Sequence, residues 1–301
     1  MGLRSVFLSL RRHTSSGLYI PELDGLRFIA ILFVFVFHLS GDIFRHNAPG
    51  LAPPTSRFYL LTQQLNIGVP LFFAISGMIL GLPFARYWLH NGPKVSIKRY
   101  FLRRITRLEP PYIAALQLLF IIKYFGHRGS IEAMLPHLGA SLVYLHSLIY
   151  RELSTINPVA WSLEVEVQFY ILAPILAMVF VIRLCWLRRT VIGAAIVCLA
   201  ILEPWTDMVV SRGDVAAWMA HLTLVGNVQY FLTGFLLADF FLLLPTTKYR
   251  DWRWDIATAI GWPCFGVLLV ASPGSVAVAL PAIILYEPAD REFESFRPHH
   301  S

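Results

Sequence analysis

The stretch Asp24-Gly-Leu-Arg27-Phe-Ile-Ala-Ile-Leu-Phe-Val-Phe-Val-Phe37-His38-Leu-Ser-Gly-Asp-Ile-Phe44 decides the fold. The residues between Arg27 and His38 are all apolar, and the run as a whole has the length, about 20 residues, that a helix needs to cross the hydrocarbon of a bilayer. Residues eleven apart lie about three helical turns apart, so Arg27 and His38 project from nearly the same face, roughly 16 Å from each other along the axis. An ionisable group inside a span is costly and marks a candidate functional site. The plainer reading makes Arg27 an interfacial anchor and His38 a helix-packing group.

The rest of the chain agrees with a membrane origin. Of 301 residues, 56% are hydrophobic and only 14% charged, whereas soluble domains carry about 25% charged residues. Mean hydropathy is +0.61. Apolar candidates stand at about 24–44, 67–85, 110–125, 133–149, 160–182, 190–204, 217–244 and 254–287. The last is long enough for two helices broken at Ser272-Pro273-Gly274, and the fourth carries His137 and His146, so it need not span. The expectation is an all-α, polytopic transmembrane bundle of about eight spans, forming one membrane domain over 1–301. The first run has Asp24 and Arg27 ahead of it and full span length, so it reads as a retained helix rather than a cleaved signal.

The charges orient this bundle. The net charge is +7 and the pI about 9.5, but the basic residues interrupt greasy segments instead of forming one face, which argues against nucleic acid. Assigned to alternate connections, 19 of the 25 Lys and Arg residues fall on one side, seven of them between Arg86 and Arg107. The positive-inside rule then puts the N-terminus, the 86–110 connection and the C-terminus in the cytoplasm. Cys185, Cys198 and Cys264 are odd in number, lack metal spacing and lie in or beside apolar runs, so they read as buried small hydrophobes and no metal site is expected.

Two further segments carry polar groups into apolar surroundings. In Trp161-Ser162-Leu163-Glu164-Val165-Glu166-Val167-Gln168-Phe169-Tyr170, Ser162, Glu166 and Tyr170 share a helical face and Glu164 points away from it. Glu166 and His38 sit at similar depths from the outer ends of their helices, each about 9 Å in. A carboxylate beside an imidazole fixes its tautomer and stabilises its protonated form, an arrangement that activates a hydroxyl nucleophile. A purely structural Glu166 would cap a helix or pair with an arginine. In Arg99-Tyr-Phe-Leu-Arg103-Arg104-Ile-Thr-Arg107-Leu-Glu109-Pro110-Pro111-Tyr112, Arg104 and Arg107 are three apart on a helix at the cytoplasmic interface, a spacing suited to gripping phosphate. A topogenic cluster meeting lipid headgroups is the alternative.

These blocks, with Leu23-Asp24-Gly25-Leu26-Arg27 before His38, Gly68-Val69-Pro70-Leu71-Phe72-Phe73-Ala74-Ile75-Ser76-Gly77, and Gly226-Asn227 to Gly234, resemble in order the membrane acyltransferase-3 family. The resemblance covers roughly 20–244. It implies an enzyme that takes an acyl group, often acetyl, from cytoplasmic acyl-CoA as co-substrate, with no bound cofactor, and transfers it to a hydroxyl of a glycan or secreted small molecule. It implies His38 and Glu166 as catalytic groups, Arg27, Arg104 and Arg107 as donor-binding groups, and Asp24, Ser76 and Ser162 in support. Direct transfer with His38 as general base is one route, and a covalent intermediate on Ser76 or Ser162 is the variant. The partners are then the bilayer, acyl-CoA and a hydroxylated acceptor, in the plasma membrane. Family chains continue through further helices, whereas here 287–301 is a polar tail, so the bundle is expected to lack the last family helices. The competing readings are a transporter or proton-relay protein, which would carry paired broken-helix halves, and an inactive acyltransferase remnant.

Overall fold

The structure is a computed structural model that describes residues 21–47, 57–126, 130–210 and 222–243. The expected 254–287 segment, the 287–301 tail and Cys264 lie outside these residues. The α-helices among the described residues are α1 (Pro21–Asn47), α2 (Arg57–Gln63), α3 (Gly68–His90), α4 (Ile97–Phe125), α5 (Ile131–Leu142), α6 (His146–Tyr150), α7 (Trp161–Leu176), α8 (Cys185–Val210) and α9 (Leu224–Leu243). Five stretches are long and apolar enough to cross a membrane: Leu23–Phe44, Phe58–His90, Ile97–Phe125, Pro158–Val181 and Leu224–Leu242. The chain is an integral membrane protein. The 190–204 segment lies within α8, which is not among those five.

The core is built on α3, which packs against α1, α7 and α9. Without a hydrophobic drive between helices in lipid, close contact depends on small residues, and two glycines supply it here. A Cβ on Gly77 would lie 2.2 Å from the Phe231 carbonyl oxygen, and one on Gly234 would lie 2.1 Å from the Ala74 oxygen. The backbones of α3 and α9 therefore touch. Beside this crossing Phe73, Phe231 and Phe169 stack at 4.6 and 3.9 Å between centroids. α3 ends at Asn91, whose φ of 50° allows Gly92 N–H to donate to the Arg86 carbonyl at 3.0 Å, a left-handed helix stop.

Three expectations are sharpened or corrected, and 133–149, which need not span, is not among the five stretches. The segment 133–149 is not one helix: α5 stops at Leu142, Tyr144 turns the chain with φ 58°, and α6 restarts for one turn. The cause is polar pairing at the break, where Tyr112 Oη donates to the Ser141 carbonyl (2.8 Å) and Ser147 N–H donates to Glu164 (2.9 Å). Second, the helix around 110–125 begins at Ile97 and runs through Pro110-Pro111 without a break. Third, Cys185 and Cys198 are exposed, because the exterior of a bundle in lipid can be as apolar as its core.

The break also holds a titratable pair. His146 is fully buried, with Nε2 2.8 Å from Nδ1 of His137, and both rings lie against Tyr150. Burial, and then the neighbouring His137, hold the His146 pKa below the usual histidine range. An opened segment regains an ordinary value near 6.5 and so takes up protons first as pH falls. Protection is thus complete above about pH 6.5 and is lost toward the lowered value. Hydrogen exchange at 140–150, corrected for intrinsic rates, should accelerate as pH falls below that point, and His146→Gln should flatten the response.

Candidate active site

α1 brings Ala30, Ile31, Val34, Phe35 and His38 to one wall of a cavity of about 480 Å³. Val69 and Phe72 of α3 form a second wall, and Val159 ahead of α7 with Ser162, Leu163 and Glu166 on it form the third. His38, Ser162 and Glu166 are the polar side chains on this lining. His38 is exposed on its helix and meets the Phe37 ring edge-on at 5.1 Å. Ser162 donates to the Val159 carbonyl at 3.4 Å.

Glu166 links this cavity to a cationic cluster. It is 4% exposed, and its Oε1 accepts from Ser76 Oγ at 2.8 Å and from the Tyr170 hydroxyl. Two donors on one oxygen hold the carboxyl group in place. The Arg104 guanidinium lies 5.6 Å from the centroid of the Tyr170 ring, and Glu166 feels the charges of both Arg27 and Arg104. Arg27 is within electrostatic range of Arg107, Asp24 and Glu166 and pairs with Asp24 at 3.7 Å. The Nε atoms of Arg27 and Arg104 are buried without a hydrogen-bond partner among the described residues. Buried donors of this kind need a partner, which a water or an anion supplies.

The expected site residues thus fall into one connected group. Arg27 and Arg104 lie near Tyr170, the exposed Arg107 lies within electrostatic range of Arg27, Ser76 holds Glu166, and Ser162, Glu166 and His38 share the cavity. Asp24 stands at Arg27. Tyr170 carried no role in the sequence reading, although its spacing of four from Glu166 places the two on one face. Glu164 was also passed over. It is 1% exposed and accepts from Ser147 N–H, so α7 buries a carboxylate on each of two faces. Among the described residues no group of three or more His, Cys, Asp or Glu is placed to hold a metal ion.

The described residues form a helical membrane bundle in which a buried carboxylate, Glu166, shares an apolar cavity with His38 and lies within electrostatic range of Arg27 and Arg104. Residues 20–288 match the acyltransferase domain of the acyltransferase-3 type, and the chain belongs to that family. It is similar to the peptidoglycan O-acetyltransferase OatA of Listeria monocytogenes, 26% identical over 181 residues, which is 57% of this chain and 26% of the relative. A putative O-acetyltransferase of Staphylococcus aureus (strain COL) is 28% identical over 167 residues, 52% of this chain and 24% of that protein. The putative peptidoglycan O-acetyltransferase YrhL of Bacillus subtilis is 27% identical over 197 residues, 61% of this chain and 28% of that protein. The matched segment thus spans only about a quarter of each of these relatives. No solved structure matches.

Proposed function

We propose that this chain, as one integral-membrane domain of the plasma membrane with a cytoplasmic N-terminus, transfers an acyl group from cytoplasmic acyl-CoA to a hydroxyl of a glycan or other hydroxylated acceptor. The observation that supports this reading is that Glu166 lines one cavity with His38 and lies within electrostatic range of Arg27 and Arg104. Phosphates of the donor meet the arginines. His38 takes the proton from the acceptor hydroxyl, whose oxygen attacks the thioester carbonyl. The carbon–sulfur bond breaks, CoA leaves as the thiolate and takes a proton, and the ester remains on the acceptor. Glu166, held by Ser76 and Tyr170, offsets the charge that develops on the imidazolium. Ser76 already donates to Glu166 and Ser162 to a carbonyl, which favours direct transfer over an acyl-serine.

The test is acyl-CoA-dependent labelling of a hydroxylated acceptor by membranes carrying the chain. Free CoA released without labelled product would overturn the transferase reading. If the arginines dock the donor, Arg104→Ala and Arg107→Ala should each raise the KM for acyl-CoA by roughly 10-fold or more, the worth of a lost hydrogen bond to a charged group. The acceptor KM should change far less. Equal loss for both substrates would remove the docking role.

A further inference from the structure

We infer that the apolar groove beside His38 receives the acyl chain, and that the preferred donor carries a chain longer than acetyl. This rests on the acyl-transfer reading and adds to it the class of group transferred. The cavity has about 480 Å³, within the range of roughly 300–1,000 Å³ common to small-molecule sites. An acetyl group, a carbonyl bearing one methyl, would fill a small part of it.

The lining decides which part of the reactants can enter. Val34, Phe35, Val69, Phe72 and Leu163 present only hydrocarbon. Of the polar residues, Ser162 already donates to a backbone carbonyl and Glu166 Oε1 already holds two donors. The pantetheine arm carries two amides and a sugar carries several hydroxyls, and burial without partners is costly for each such group. An acyl chain has no such groups. Its carbonyl end would lie toward His38 and Glu166 and its methylenes among the valines and phenylalanines. The relatives named as O-acetyltransferases point to the shorter group, so the assignment departs from them.

The test is a donor series of acetyl-, butyryl-, hexanoyl- and octanoyl-CoA with the full chain in membranes or detergent. A fully buried methylene is worth about fourfold, so even partial burial of the four added methylenes should raise kcat/KM by about 10-fold from acetyl to hexanoyl. Val34→Phe should move the optimum to shorter chains and Phe72→Ala to longer ones. Opposite shifts from two variants cannot come from misfolding. A preference for acetyl-CoA, or a flat profile that neither variant moves, as expected if membrane lipid fills the cavity, would overturn the assignment while leaving acyl transfer intact. Failure to use any acyl-CoA would overturn both.

Discussion

His38→Ala, produced at normal levels in the membrane, is expected to lower acyl transfer by about 10²–10⁴-fold, the usual contribution of a positioned general base. The side chain is exposed on α1 and lines the cavity, so its truncation removes little packing, and the loss should appear in kcat with the acyl-CoA KM nearly unchanged. Glu166→Gln should cost less. The amide oxygen can still accept from Ser76 and Tyr170, which keeps the geometry and removes only the charge that supports the imidazolium. Wild-type transfer by His38→Ala would end the general-base assignment.

Much of this site was legible because it is written in local periodicity. The eleven-residue interval from Arg27 to His38 and the four-residue steps from Ser162 through Glu166 to Tyr170 are properties of one helix, and a helix preserves them. Arg104 and Arg107 were legible for the same reason. What the sequence did not reveal depends on partners far along the chain. That Ser76 reaches Glu166 across 90 positions follows from the crossing of α3 and α7, which no local pattern encodes. The break at 142–146 was hidden because apolar composition reports affinity for lipid, not continuity of backbone hydrogen bonding. The cysteines were misplaced because burial and hydrophobicity part company in a bilayer, where the outward face of a helix is also apolar.

The arginines of 183–189 show the same limit most fully, since the positive-inside count treated them only as orientation signals. Arg188 is 1% exposed and Asp239 of α9 is fully buried. Arg188 Nε and Nη2 meet Asp239 Oδ1 at 2.7 and 2.5 Å, Arg189 Nε meets Oδ2 at 2.8 Å, and Arg188 Nη1 donates to the Ile182 carbonyl at 2.5 Å. Asp239 therefore ties the start of α8 to α9. Asp239→Ala would leave a guanidinium buried with no carboxylate, at a cost of about 3–5 kcal/mol, a large share of the roughly 5–15 kcal/mol that holds a typical domain. The expected result is a steep fall in protein recovered from membranes and a lowered melting temperature in detergent. Joint replacement, Arg188→Met with Asp239→Leu, should recover part of the loss, because it removes the buried guanidinium, while the partly exposed Arg189 still loses its carboxylate. Asp239→Ala melting like the wild type would show that the clamp contributes nothing. The consequence reaches the site. α9 lies against α3 at Gly234 and α3 carries Ser76, so a loosened α9 should also release the hydrogen bond that fixes Glu166, and transfer should fall in the protein that still folds.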